Sequence, residues 1–142
     1  MENLPNQFFY SKEEDRLNVI SHGIGFIFSI IGLIFLLNKG LQDFNLLRFL
    51  SFLIYGISLS TMYIASTLYH NSKTPEGRYK FRLFDMVSIY LLIAGSYTPF
   101  TLTVLIDSGG LTLFLLVWVI AIIGIIWKIF TVGNYNVSST LL

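Results

Sequence analysis

The sequence contains no cysteine in its 142 residues. Disulfide bonds, thiolate metal ligands and cysteine nucleophiles are therefore all excluded. A metal site would have to use histidine, aspartate, glutamate or backbone oxygen, and histidine occurs only twice, as His22 and His70. Only a few positions could therefore provide metal ligands or catalytic groups.

Charge is also scarce. Charged residues make up 12% of the chain and hydrophobic residues 54%, and the mean hydropathy is +0.71. This is more apolar surface than a soluble domain of this length can bury. The formal net charge of +1 predicts no nucleic-acid partner, and nothing implies a soluble partner. The composition predicts a membrane protein whose partner is membrane lipid.

The first 16 residues form a polar segment with four acidic and two basic side chains. A cleavable signal peptide would begin with net positive charge and carry a short apolar core before its cleavage site. This segment has the opposite charge balance, and the apolar run after it is too long for a signal peptide. We predict that residues 1–16 form a cytoplasmic N-terminal tail.

Four apolar runs follow, at about 17–38, 49–71, 84–106 and 110–130. Each reaches roughly the 20 residues that a helix needs to cross about 30 Å of hydrocarbon. Glycine and proline lie in the short connections between them, where helices end. The sequence therefore predicts an all-α fold, a polytopic bundle of transmembrane helices.

The distribution of lysine and arginine predicts the orientation. With the N-terminus in the cytoplasm, seven of the nine basic residues lie inside and two outside, as the positive-inside rule favours. The inside set is Lys12, Arg16, Lys73, Arg78, Lys80, Arg82 and Lys128, and the outside set is Lys39 and Arg48. We predict a multi-pass protein of the inner (plasma) membrane.

In this orientation, the ionisable residues of the first three spans lie at the same depth, at the cytoplasmic side of the membrane. His22 lies near the start of the first span, His70 at the end of the second and Asp85 at the start of the third. Ser66 precedes His70 by four residues, so the two share a helix face and the hydroxyl could orient the imidazole. Ionisable groups at a membrane edge are functional candidates because leaving them unpaired in lipid is costly.

Structural explanations compete with the functional ones at this stage. His70 could cap its helix and contact lipid headgroups. Asp85 could be the N-cap of the third helix, or could pair with Arg82 or Arg78. Both interpretations of each residue remain open on the sequence alone.

Glu14, Asn18 and His22 follow one another at intervals of four residues. On a helix they would line one face and form an accessory polar cluster. A solvated helix entry explains the same spacing, because the last of the three would be only about 6 Å deep.

Pro99 lies inside the third predicted span. Proline removes one backbone hydrogen bond and clashes with the preceding turn, so the sequence predicts an irregular helix between about 94 and 101. Small residues recur in the spans, which favours close helix packing.

Three motifs together resemble the haemolysin III proteins, bacterial relatives of the adiponectin and progestin receptors and of the alkaline ceramidases. The motifs are Glu14-Asp15-x-x-Asn18-x-x-Ser21-His22, Ser66-x-x-x-His70, and Phe84-Asp85-x-x-x-Ile89 continuing to Pro99-Phe100. Their order and spacing match the family over nearly the whole chain.

The resemblance implies a seven-helix bundle with a cytoplasmic N-terminus and a zinc site at the cytoplasmic side. It implies that His70 is one zinc ligand, that Asp85 holds or deprotonates the attacking water, and that Ser66 adds a hydrogen bond. Two further ligands would come from an H-x-x-x-H motif on the last helix. Zinc activates water at neutral pH, so the implied reaction is hydrolysis of a lipid amide or ester.

The sequence departs from the family pattern in three places. Met86 stands where many members have histidine, and Asp15 stands where many have glutamate. The sequence also ends at Leu142, before the last three helices, which predicts a fragment with four of the seven helices. Such a fragment would be inactive alone unless His22 or a second subunit of a homo-oligomer completed the site.

Three functions are therefore compatible with the sequence. We prefer a zinc-dependent hydrolase of membrane lipids. The alternatives are a pore-forming cytolytic protein, as the family name implies, and a receptor-like or regulatory protein that binds a lipid without hydrolysing it.

Overall fold

A computed structural model describes residues 10–42 and 44–131. These residues form four long helices: α1 (Lys12–Leu41), α2 (Leu46–Asn71), α3 (Pro75–Pro99) and α4 (Gly110–Thr131). Each helix is long and apolar enough to cross a membrane, where α3 is counted together with its extension to Val104. The predicted all-α class and polytopic membrane architecture are confirmed.

Helix α1 begins at Lys12, five residues before the predicted span. The Ser11 hydroxyl accepts a hydrogen bond from the Glu14 amide, and the Glu14 carboxylate accepts one from the Ser11 amide. This capping box satisfies amide groups that would otherwise lack partners, so the helix extends beyond the apolar run. Residues 12–16 of the predicted tail are thus helical, and residues 1–9 lie outside the described residues.

Helix α3 begins at Pro75, nine residues before the predicted span. The Thr74 side chain accepts a hydrogen bond from the Gly77 amide at 3.2 Å, and proline is well suited to the first helical position. The basic stretch that follows, from Arg78 to Arg82, is therefore helical and not a loop.

The helices pack in sequence order, α1 on α2, α2 on α3 and α3 on α4. The contacts are made largely by small or hydroxyl-bearing residues, which let helix backbones approach closely in a membrane. Ser29 of α1, for example, donates a hydrogen bond to Ser60 of α2 at 2.9 Å, and both are buried. Large apolar side chains such as Phe28 and Phe35 are exposed on the outer faces, where a membrane protein contacts lipid.

The predicted irregularity in the third span begins at Phe100. The α-helix changes there to a π-helix that extends to Val104, immediately after Pro99. Local side chains bind the carbonyls of this region: Thr101 Oγ1 donates to the Tyr97 carbonyl at 3.0 Å. Because proline has no amide hydrogen, one regular helical hydrogen bond is lost at Pro99. A widened turn in which threonine hydroxyls bind the carbonyls is consistent with this loss.

Gly95 offers a test of the α2–α3 packing. A Cβ atom added at Gly95 would lie 2.6 Å from Ser58 Cβ, whereas one at Gly32 would meet nothing within 4 Å. We expect Gly95→Ala to lower the free energy of unfolding by about 1–3 kcal/mol. Gly32→Ala should be neutral or raise it by up to about 1 kcal/mol, since alanine favours the helix. Equal effects in detergent unfolding curves would contradict this packing.

Candidate functional site

The candidate site lies at the end of the bundle where α2 connects to α3, with His70 at its centre. His70 Nδ1 is 2.9 Å from Asp15 Oδ1, so the last turn of α2 contacts the first turn of α1. In the tautomer that satisfies this contact, Nδ1–H donates to the carboxylate and Nε2 keeps its lone pair. The Asn18 amide is also near, with Nδ2 3.5 Å from Nδ1.

Arg78 holds the same carboxylate from the other side. Its NH2 group lies 2.8 Å from Asp15 Oδ1 and its NH1 group 3.0 Å from Oδ2, a bidentate arrangement. NH1 also donates to the His70 carbonyl at 3.3 Å, and the Arg78 side chain is only 2% exposed. The His70–Asp15–Arg78 network thus joins α1, α2 and α3 at this end of the bundle.

A second group of polar residues lies beside this network. The Ser66 hydroxyl lies near the Asp85 carboxylate, and Asp85 interacts electrostatically with both histidines. The His22 ring is parallel to the His70 ring, with centroids 6.0 Å apart. The structure therefore brings Ser66, His70, His22 and Asp85 together at one level of the bundle.

Two interpretations left open by the sequence are decided here. Asp85 is not a helix N-cap, because α3 begins at Pro75 and its N-cap is Thr74. Arg78, which the sequence offered as a partner for Asp85, binds the carboxylate of Asp15.

Glu14 lies apart from the cluster, on an exposed turn where it caps α1. The residue of α1 that reaches His70 is Asp15, followed by Asn18 and His22 at spacings of three and four. Sequence analysis missed Asp15 and Arg78 as site residues. The sequence did contain a signal for Asp15. Asp15 lies three residues before Asn18 and Glu14 lies four residues before it, and either spacing places the two side chains on one helix face.

The family of the chain follows from comparison with known proteins. A family model described as "Haemolysin-III related" matches residues 10–142. The chain belongs to the haemolysin III family. No solved structure matches it.

Two curated haemolysin III relatives are similar over most of this chain. "Hemolysin-3" of Bacillus cereus is 42% identical over 129 residues, which are 91% of this chain and 59% of the relative. "Hemolysin-3 homolog" of Bacillus subtilis (strain 168) is 37% identical over 131 residues, which are 92% of this chain and 62% of the relative. The chain thus spans about three fifths of the length of the curated relatives that it matches.

The donor set of this haemolysin III site suits a partial metal site. A histidine whose Nδ1 is bound by a carboxylate is the usual second-shell arrangement of a metal-binding imidazole, so His70 fits the role of one ligand. Within residues 10–42 and 44–131, no three histidine, cysteine, aspartate or glutamate side chains are grouped as metal ligands. A tetrahedral zinc site would therefore need ligands in addition to those described.

A cavity of about 860 Å³ opens beside His70, between the start of α1 and the end of α2. Three cationic side chains line it, Lys12 and Arg16 from α1 and Lys73 from the connection after α2. Ile20 adds an apolar wall that is 48% exposed. The cavity thus combines positive charge with apolar surface next to the candidate site.

Proposed function

We propose that this chain provides the His70 part of a zinc-dependent site that hydrolyses a membrane lipid amide or ester. The observation that carries the proposal is the imidazole of His70, fixed at one end of the helix bundle by the bidentate Asp15–Arg78 pair. Hydrolysis at neutral pH needs an activated water, which a bound zinc ion supplies. Asp85 acts as the base, and the Ser66 hydroxyl holds its carboxylate in place.

The proton transfers can be assigned to the chain's own residues. The oxygen of a water molecule attacks the carbonyl carbon of the lipid, and Asp85 accepts the proton that the water loses. The bond between the carbonyl carbon and the amide nitrogen or ester oxygen then breaks, and Asp85 returns the proton to the leaving group. The Ser66 hydroxyl, which lies near the carboxylate, keeps Asp85 oriented during both transfers.

A complete zinc site needs ligands in addition to His70. The curated relatives are longer than the part this chain matches, and the family resemblance implies an H-x-x-x-H motif on the last helix. We propose that this motif supplies two further imidazoles. His22, or a second subunit in a homo-oligomer, is the other route to a complete ligand set.

The zinc assignment is tested by metal analysis of the purified protein. We expect the protein, purified in detergent and dialysed against zinc, to retain the metal, and His70→Ala to lose nearly all of it. Asn71→Ala, the neighbouring exposed position at the end of α2, should retain it. A protein that binds no zinc, or a His70→Ala variant with the zinc content of the unchanged protein, would remove the hydrolase proposal.

We also propose that the site end of the bundle faces the cytoplasm, in the inner membrane. The support is the charge distribution: the α2–α3 connection and the first turns of α3 are basic, while Lys39 and Arg48 lie at the opposite end. Because the chain has no cysteine, single introduced cysteines report topology without background. Lys39→Cys should react with a membrane-impermeant maleimide in right-side-out vesicles, and Lys80→Cys only in inverted ones. The reverse pattern would contradict the orientation.

Pore formation is a second candidate, because the curated relatives carry the name "Hemolysin-3". Most of the described hydroxyls deep in the bundle donate to backbone carbonyls of their own helix, as Ser58 does to Ile54. Two further bonds join side chains across helices, from Ser29 to Ser60 and from Trp118 to Thr98. This favours packing over a water-filled lumen. Step-like conductance from purified protein in planar bilayers would support the pore.

A receptor that binds lipid without turnover is the third candidate, and the cavity beside His70 serves it equally well. Release of fatty acid from a bound lipid separates the hydrolase from the receptor. Stable binding without release would favour the receptor.

A further inference from the structure

We infer that the cavity beside His70 binds the phosphate headgroup of an anionic phospholipid from the membrane leaflet at this end of the bundle. The inference that this lipid is a substrate rests on the proposed hydrolase function. The inference that the lipid binds rests only on the charges, the walls and the position of the cavity.

The charges of the cavity favour an anion. Lys12 and Arg16 are four residues apart and therefore lie on one face of α1, and Lys73 faces them from the connection after α2. Among residues 10–42 and 44–131, the one carboxylate that lines the cavity belongs to Asp15, and it is already bound by Arg78 and His70. Three cations thus remain for a ligand with its own negative charge.

The two acidic residues that follow Lys12 in the sequence, Glu13 and Glu14, do not line the cavity. The Glu14 carboxylate binds the Ser11 amide at 2.9 Å as part of the helix cap. The phosphate of a phospholipid would therefore meet a locally positive surface. Lysine and arginine beside an anionic leaflet strengthen such binding.

The walls favour a lipid over a soluble phosphate compound. Val19 and Ile20 line the cavity, and Ile20 continues onto the exposed apolar face of α1 that meets lipid. A volume of about 860 Å³ lies within the usual range of about 300–1,000 Å³ for small-molecule sites. A headgroup could occupy the cationic part while the first methylenes of its chains lie along Ile20. A free phosphate would leave this apolar wall unused.

The position of the cavity connects binding with the proposed chemistry. His70 lines the cavity and is also the centre of the candidate site. A phospholipid held by its phosphate would therefore have its headgroup, and the ester bonds close to it, beside the imidazole. A glycerophospholipid ester is then the substrate class that this site selects.

The test is a binding titration of the protein in uncharged detergent, treated with EDTA so that neither zinc nor turnover contributes. Acyl-labelled fluorescent phosphatidylglycerol is titrated against phosphatidylcholine with the same label, with anisotropy as the signal. We expect phosphatidylglycerol to bind at least about tenfold more tightly, because its net charge is not balanced by choline. Arg16→Gln with Lys73→Gln should remove this preference.

A matched variant removes the same number of charges outside the cavity. Lys39→Gln with Lys80→Gln alters exposed lysines that do not line it, and should keep the preference within about twofold. An equal loss in both double variants would overturn the inference, because general surface charge would then explain the binding. No preference in the unchanged protein would overturn it as well.

Glycerol phosphate is the competitor that separates the two sources of the anion. Displacement of the labelled lipid by glycerol phosphate at concentrations comparable to those of the lipid would overturn the inference in favour of a soluble ligand. Weak competition, with an excess of about a hundredfold or more required, supports a lipid that also uses the apolar wall. Selective lipid binding by a protein that binds no zinc would keep this inference and remove the hydrolase. Zinc binding without lipid selectivity would overturn this inference and leave the hydrolase proposal standing.

Discussion

Asp15→Ala is expected to lower the free energy of unfolding by about 3 kcal/mol. The substitution removes the acceptor of two hydrogen bonds from Arg78 and of one from His70, at 2.8, 3.0 and 2.9 Å. The Arg78 side chain is 2% exposed, so its guanidinium keeps its burial and loses its counter-charge. Unfolding in mixed micelles, followed by circular dichroism against the mole fraction of denaturing detergent, measures the change.

An exposed ion pair on α3 provides the control. Lys80 and Glu76 are 2.8 Å apart but 69% and 79% exposed, so Glu76→Ala should cost about 0.5 kcal/mol or less. Arg78→Lys sharpens the comparison because it keeps the charge and loses the bidentate geometry. We expect it to be clearly destabilising, while Lys80→Arg should be neutral. Similar small losses from Asp15→Ala and Glu76→Ala would show that the buried network does not stabilise the bundle.

Asp85→Asn is expected to reduce the proposed hydrolysis at least about a hundredfold while leaving the zinc content unchanged. Asparagine keeps the size of the side chain and a polar group near Ser66, but it cannot accept the proton from water. Fatty acid released from labelled phosphatidylglycerol, and from ceramide with the same acyl chain, measures the rate. Using both substrates also separates ester from amide hydrolysis.

Two further variants test whether the loss of activity is specific to Asp85 and its surroundings. Asp107→Asn makes the same chemical change in the connection between α3 and α4, at the opposite end of the bundle, and should leave the rate unchanged. Ser66→Ala removes the hydroxyl that lies near the base and should lower the rate about tenfold. An Asp85→Asn variant with the activity of the unchanged protein would exclude Asp85 as the base. Loss of zinc in the same variant would identify it as a metal ligand.

The architecture was open to prediction because it depends on local composition. A run of about 20 apolar residues must be a helix in a membrane, since every backbone group needs a partner inside the chain. The same reasoning placed Ser66, His70 and Asp85 at one end, because alternate spans enter from alternate sides. Helix ends were less predictable, since capping by Ser11 and Thr74 extends α1 and α3 past their apolar runs.

The partners within the site were decided by the tertiary structure. Glu14 and Asp15 are both compatible with a polar face of α1, and only the rotation of α1 against α2 places Asp15 on His70 and leaves Glu14 to cap the helix. The contact between Asp15 and Arg78 joins residues 63 positions apart. By itself the sequence determined four apolar spans, their charge asymmetry and the level of the ionisable groups, because these depend on helical rise and local composition. Only the packed bundle decided which carboxylate meets which cation, because that depends on how each helix is turned about its own axis.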